Sequence, residues 1–241
     1  MPNILLTGST RGIGKATAEA LKARGATVIG HSSRGAGGDA IAADFTHPHA
    51  PQSLWQQALE RAGGQIDVLV NNAGLFAADP LDSSDIAWLD AWEDTMRINL
   101  TAAAQLSRFA VRHWLETGRP TNGIRGRIVH VASRAGHRGD SPDHWHYAAS
   151  KGGMLALHKT IARAYANKGI LSFAIAPGFT DTAMAGDYLA SRGGDGLLAD
   201  IPLGRVATPQ EIARIAVFCA LDAPPSMTGA TIDANGASYV R

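Results

Sequence analysis

Tyr147 and Lys151 stand four positions apart in Tyr147-Ala148-Ala149-Ser150-Lys151, so on a helix the phenol and the ammonium share one face. A free phenol, with a pKa near ~10, is a poor base at neutral pH. A cation beside it favours the phenolate and lowers that value. The hydroxyl can then give a proton to a carbonyl oxygen or take one from an alcohol. Ser133 closes the strand-like run Arg127–Ala132 and could donate to the same carbonyl oxygen. Taken singly, the pair also suits a surface helix, and the serine suits a turn or a cap.

A second cluster can hold an anion. The apolar run Asn3–Thr7 is followed by Gly8-Ser9-Thr10-Arg11-Gly12-Ile13-Gly14 and then by a helical period. Glycine is needed where a chain turns sharply and where backbone must approach a phosphate closely. The helix that follows offers unpaired N–H groups and the positive end of its dipole. A strand, a glycine turn and a helix in that order predict a dinucleotide site, although the spacing is G-x-x-x-G-x-G. An acid at the end of the second strand would receive the adenosine ribose hydroxyls and repel a 2′-phosphate. The chain instead reads His31-Ser32-Ser33-Arg34, and Arg11 lies in the glycine turn. Two cations and two hydroxyls suit a phosphate monoester, so NADP(H) is expected ahead of NAD(H).

The elements that must position these groups follow from periodicity. Strands are predicted at Asn3–Thr7, Thr27–His31, Ala40–Asp44, Val68–Asn71, Arg127–Ala132, Ile170–Ala176 and Ala230–Asp233. Several are apolar on consecutive positions, as strands buried on both faces are. Helices are predicted at Ile13–Arg24, Pro51–Ala62, Asn99–Glu116, Tyr147–Asn167 and Pro209–Leu221. The alternation implies an α/β fold: a Rossmann-type, doubly wound parallel sheet of about seven strands with helices on both faces. With no repeat or linker in view, residues 1–241 are expected to form a single domain. Thr117–Arg125 and Asp187–Gly204 are expected to be irregular.

Collinear motifs carry a resemblance over essentially the whole chain. Thr7-Gly8-Ser9-Thr10-Arg11-Gly12-Ile13-Gly14, Asn71-Asn72-Ala73-Gly74, Asn99, Ser133, Tyr147…Lys151 and Pro177-Gly178 resemble the classical short-chain dehydrogenase/reductase family. The resemblance implies hydride transfer between nicotinamide and a carbonyl or secondary alcohol, with Tyr147 as general acid/base. Lys151 would lower the Tyr147 pKa and bind the nicotinamide ribose. Ser133 would orient the substrate carbonyl, and Asn99 would hold a water linking Lys151 to solvent. Asn72, Ala73 and Gly74 would support the cofactor, Asp44 and Phe45 the adenine, and Ser33 and Arg34 the 2′-phosphate. Pro177, Gly178, Thr180 and Thr182 would embrace the carboxamide and one phosphate. Relatives form homotetramers or homodimers, here through Asn99–Glu116 and Tyr147–Asn167 with apolar outer faces. The chain departs from the family in Ala132-Ser133-Arg134, where two serines are common, and in Asp233-Ala234-Asn235-Gly236, where paired glycines are common.

Composition narrows the remaining choices. The chain has 241 residues, 45% of them hydrophobic, and a formal net charge of +1. That gives no footprint for nucleic acid and no charged tail. The lone Cys219 excludes an intrachain disulfide and suits a reducing compartment. No signal-like start and no long apolar run are seen, so a cytoplasmic location without membrane attachment is expected.

The polar stretch His137–His146 is expected to form part of the pocket wall and to favour a polar, anionic or aromatic substrate. On the plainer alternative the stretch is a solvated loop with Trp145 packed beneath it. No metal is expected, because His144 and His146 lack further ligands. Residues 182–204 are expected to be a substrate lid, with Met184, Tyr188, Leu189, Leu197 and Leu198 as its apolar face. Two alternatives to a carbonyl reductase stay open. One is a 3-oxoacyl-carrier-protein reductase with Arg134 and Arg138 as a docking patch. The other is a non-catalytic NADP(H)-sensing module.

Overall fold

The computed structural model describes residues 1–35, 40–117, 120–182 and 194–241. Lid residues Met184, Tyr188 and Leu189 therefore lie outside the described residues, as does the side chain of Leu197. Seven strands form one parallel sheet in the order β3-β2-β1-β4-β5-β6-β7. They are β1 Asn3–Leu6, β2 Thr27–Ser32, β3 Ile41–Ala42, β4 Val68–Asn71, β5 Gly126–Val131, β6 Ile170–Pro177 and β7 Thr231–Ala234. The helices are α1 Gly12–Ala23, α2 Ala50–Arg61, α3 Asp85–Met96, α4 Ala102–Glu116, α5 Ala135–Arg138, α6 Trp145–Tyr165, α7 Gly194–Ala199 and α8 Pro209–Val217.

The alternation of side chains along each strand splits the core in two. Leu5, Ile29, Leu69 and Ile128 face a layer that includes Leu54, Trp55, Leu106 and Trp114 of α2 and α4. Ile4, Leu6, Val70, Val129 and Phe173 face Leu21, Ile212 and Ala216 of α1 and α8. Each buried strand is thus apolar on both faces, which is why the runs read as continuous.

Every predicted strand and helix is present, with ends shifted by a residue or two, apart from three: β3 keeps two residues of the five predicted, α4 begins at Ala102 rather than Asn99, and α8 ends at Val217, where a π-turn, Phe218–Asp222, takes the place of the predicted last turn. Three local differences have physical causes. α3 was not predicted; Ser84 caps it by accepting from Ala87 N, yet Ile86, Leu89 and Leu81 are exposed, so its apolar pattern points away from the core. The helix expected from Asn99 begins as a π-turn, Arg97–Thr101, joining α3 to α4. The outer faces of α4 and α6 expose fewer large apolar residues than expected, only Leu115 and Trp145.

Two histidines are buried in the layer behind β5. His130 lies within hydrogen-bonding reach of Asn71, and His158 bonds Ser172 Oγ at 3.0 Å and Gly229 O at 3.2 Å. Burial pushes His130 down to about 3 and His158 to about 4. Both are neutral when folded, so between pH 6.5 and 5 the unfolded chain binds more protons and stability falls as pH falls. Each histidine contributes about 0.7 kcal/mol per pH unit at pH 6.5, rising to about 1.3 near pH 5. Urea unfolding of His158→Gln over this window is expected to show a slope shallower by about that amount.

Candidate active site

The order of the sheet reverses between β1 and β4, and their carboxyl ends open a crevice there. Thr7 bridges it: its Oγ1 accepts from the backbone N–H of Asn72 and of Ala73, each at 2.9 Å. Asn72 Nδ2 donates in return to Thr7 O at 3.0 Å and Gly8 O at 3.1 Å. Asn72 is therefore a tie that shapes the glycine turn. Gly8 has φ +65°, and a Cβ there would stand 3.0 Å from Ala73 Cα. A Cβ on Gly14 would strike Gly8 O. Both positions thus require glycine.

The turn presents its groups outward. Thr10 and Arg11 are exposed. Arg11 precedes α1 in an extended conformation, and the first turn of α1 has neither a side-chain cap nor an acidic residue. Its N–H groups are thus open to an anion. A Cβ on Gly12 would lie 3.1 Å from Thr182 Cγ2, so the chain after β6 returns to the glycine turn. Thr180 is buried and Gly178 N donates to Ala234 O, which seats the Pro177-Gly178 bend on the end of β7.

Ser32, Ser33 and Arg34 end β2 beside this turn. Ser33 and Arg34 are exposed, while Ser32 Oγ is buried and has no partner among the described residues. Asp44 is exposed, its carboxylate held below the usual range mainly by the Thr46 N–H and then by the Thr46 hydroxyl. Phe45 departs from expectation: its ring turns inward and stacks on His31, centroids 4.4 Å apart.

Tyr147, Lys151, Ser133 and Asn99 come together at the carboxyl ends of β4 and β5. Lys151 is buried, donates to Val131 O at 2.9 Å and stands 5.7 Å from the centre of the Tyr147 ring. A methyl group on Gly74 would lie 3.4 Å from Asn99 Oδ1 and 3.6 Å from Lys151 Nζ. Asn99 Oδ1 accepts from Leu75 N at 2.7 Å, and its Nδ2 donates to Leu75 O at 2.9 Å and Ser150 Oγ at 3.1 Å. Ser150 Oγ donates on to Tyr147 O at 2.8 Å. The amide of Asn99 is therefore committed to protein partners.

The charge balance differs from the expectation of a lowered phenol. Burial pushes Tyr147 up to about 12, opposed by a hydrogen bond with Ser133 and reinforced by the charge of Asp140. Burial also pushes Lys151 down to about 8. At 5.7 Å from the ring, the ammonium does not offset the desolvation of the phenol.

Around Tyr147 stand Phe76 and Ser150, which carry no sequence signal of their own, and His144 of the polar stretch. Phe76 packs edge-on against the Tyr147 ring at 4.7 Å and stacks on His144 at 4.2 Å. His144 is 1% exposed and bonds Ser141 Oγ through Nδ1 at 2.7 Å. Ser150 sits inside the Tyr–Lys pentapeptide, but only the folded π-turn shows what it touches. Trp145, which the plainer alternative packs beneath the stretch, is 54% exposed. Among the described residues no group of three His, Cys, Asp or Glu could hold a metal ion.

Comparison with known proteins fits this geometry. A family model described as enoyl-(acyl carrier protein) reductase matches residues 8–236. The chain is 34% identical to the 3-oxoacyl-[acyl-carrier-protein] reductase FabG of Escherichia coli (strain K12), over 98% of this chain and 96% of that protein. Identity to the FabG of Aquifex aeolicus is 30%, with the same coverage. Among solved structures, one provisionally named as an NAD(P)-dependent gluconate 5-dehydrogenase from Beutenbergia cavernae, with NADP bound, superposes with a TM-score of 0.84. Its sequence identity is 31%, over 98% of this chain and 95% of that one. The strand order, the glycine turn at the switch point and these matches agree: the chain belongs to the short-chain dehydrogenase/reductase family of oxidoreductases.

Proposed function

We propose that this protein is an NADP(H)-dependent carbonyl reductase or secondary alcohol dehydrogenase in which Tyr147 is the general acid/base. The observation that carries the reading is the convergence of Tyr147, Ser133, Lys151 and Asn99 at the crevice that also holds the glycine turn. The cradle fits a phosphorylated dinucleotide. The first turn of α1 is uncapped, and the buried Ser32 hydroxyl lacks a partner among the described residues beside exposed Ser33 and Arg34. The NADP in the structural relative supports the same choice.

Within this reading residues 1–241 act as one dinucleotide-binding and catalytic unit. Gly8, Thr10, Arg11, Gly12, Ile13 and Gly14 line the pyrophosphate, and Ser32, Ser33 and Arg34 the 2′-phosphate. Asp44 and Phe45, with Asn72, Ala73 and Gly74, border the adenosine and nicotinamide sides. Pro177, Gly178, Thr180 and Thr182 close over the carboxamide. The bound cofactor supplies the hydride. Ser133 donates to the substrate carbonyl oxygen and orients it. Tyr147 delivers the proton to that oxygen, and Lys151 stabilises the phenolate left behind. A phenol near 12 keeps its proton at neutral pH, so the site rests in the form that reduces carbonyls.

Reduction of 3-oxoacyl thioesters is a second reading, favoured by the curated relatives. Of the two cations expected to dock a carrier, Arg138 is exposed, whereas Arg134 is 6% exposed with its guanidinium 4.8 Å over the Phe179 ring. A panel of free ketones against acetoacetyl thioesters separates the two readings. A homodimer or homotetramer is part of the proposal. Exposed Ile86 and Leu89, with Trp145 beside the Trp88–Trp92 stack, offer the apolar area. Light scattering of wild type and Ile86→Glu tests it. No helix among the described residues is long and apolar enough to cross a membrane; we place the enzyme in the cytoplasm, where the buried thiol of Cys219 stays reduced.

Tyr147→Phe is expected to lower carbonyl reduction by roughly 10²- to 10⁴-fold while NADPH titrations show cofactor binding retained. Wild-type speed in that variant overturns the mechanism. Lys151 loses its proton above about pH 8, so kcat/KM for reduction is expected to fall with a slope near one above that pH. Lys151→Met removes the inflection along with most of the rate. Arg34→Ala is expected to raise the KM for NADPH roughly tenfold and to leave that for NADH nearly unchanged.

A further inference from the structure

His31 lies at the end of β2, and its side chain is 2% exposed. Its ring sits between two backbone groups of opposite kind. Gly8 N–H, in the glycine turn, points at Nδ1 at 3.1 Å. Ala43 O, on the far side, lies 2.8 Å from Nε2. A backbone N–H can only donate and a carbonyl can only accept. The ring is therefore neutral, with its proton on Nε2 and a free lone pair on Nδ1. Nothing else about the site has to be assumed to assign that tautomer.

The same residue grips the turn through its backbone. His31 N donates to Ser9 Oγ at 3.1 Å, and Ser9 N donates to His31 O at 2.9 Å. The ring also stacks on Phe45, interplanar angle 13°, which ties the glycine turn to the Asp44–Phe45 corner. Gly8 needs this support. It sits at φ +65°, a conformation its own side chain does nothing to hold, and its N–H is directed inward, away from any phosphate.

We infer that His31 is a positioning residue for cofactor binding: its neutral imidazole accepts from Gly8 and sets the glycine turn in the shape that receives the dinucleotide. This goes beyond the proposed reaction and is independent of the substrate. It rests on the assignment of the glycine turn as the cofactor site. Protonation of His31 would place an N–H at Nδ1 facing the N–H of Gly8, and the bond would be lost. Cofactor affinity is therefore linked to pH through a residue that does not touch the reacting atoms. Among the described residues, the charged and titratable groups on neighbouring elements are Arg11 and Lys15 from the glycine turn and α1, Asp44 and His47 from the β3–α2 corner, and Arg34 just after its own strand. No hydrogen bond or ion pair joins any of them to the ring. Burial lowers its pKa and the Ala43 carbonyl opposes this, so the neutral form persists to below the usual histidine range.

The test is equilibrium binding of NADPH and of NADH to the apoprotein, followed by cofactor fluorescence, from pH 7.5 down to pH 5. NADH is included because a 2′-phosphate titrates near pH ~6 and would imitate the effect with NADPH alone. His31→Leu removes the acceptor and is expected to weaken both cofactors roughly tenfold at pH 7.5, the order expected for one buried donor left without a partner. His31→Asn puts a non-titrating amide oxygen near the place of Nδ1. It is expected to restore binding to within roughly threefold and to flatten the acid limb seen with NADH in wild type. Nitrogen-15 NMR of the wild-type imidazole is expected to report the Nε2–H tautomer, which keeps the inference testable if His31→Leu does not fold. An Nδ1–H tautomer, or a folded His31→Leu that binds NADH as wild type does, overturns it. Gly12→Val separates the two levels. If it leaves NADH binding intact, the cofactor-site assignment has failed; if it abolishes binding while His31→Leu does not weaken it, only the role of His31 has failed.

Discussion

The Thr7–Asn72 tie across the switch point is the constraint on which the rest of the site depends. Where β1 and β4 part, their last backbone groups have no next strand to pair with. Thr7 Oγ1 and Asn72 Nδ2 satisfy four of those groups at 2.9–3.1 Å. Buried backbone left unpaired would be costly, so the strands cannot separate further without a penalty. The same four bonds fix where the glycine turn leaves β1 and where Ala73 and Gly74 leave β4. A methyl group on Gly74 would touch both Asn99 Oδ1 and Lys151 Nζ, so the bare backbone there leaves room for the two side chains.

A second knot hangs from the first. Asn99 holds Leu75, the residue after Gly74, by two backbone bonds and reaches Ser150 with its remaining hydrogen. Ser150 reaches Tyr147 O. The π-turn at Arg97–Thr101 is the distortion that lets a helical residue present its amide this way. The Asn99 side chain thereby couples the backbone after β4 to the helix bearing Tyr147, while the side chains of Tyr147 and Lys151 take no part in that link. Lys151 is held separately, by Val131 O on β5. Burial sets the proton balance of that pair: it holds the proton on the phenol and lets the ammonium give its own up near pH 8.

Helix α3 shows where local pattern was insufficient. Its Ile86 and Leu89 are exposed and Trp88 and Trp92 only half-buried, so its apolar residues form no single core-facing stripe. The short β3 escaped its predicted bounds because an edge strand pairs with a single neighbour and frays early. His31 gave no hint of its role, since a histidine at a strand end is ordinary until a second strand corner and a glycine turn close on either side of its ring.

The order of the strands and of the five longer predicted helices, the glycine turn and the Tyr147–Lys151 spacing were determined by the sequence alone, because each depends on neighbours within one turn or one strand. The direction of the Tyr147 and Lys151 pKa shifts, the engagement of Asn99, the burial of Arg134 and the tautomer of His31 were decided only by the tertiary structure. Each depends on desolvation, or on a hydrogen bond between segments far apart in the chain, and neither leaves a mark in local spacing.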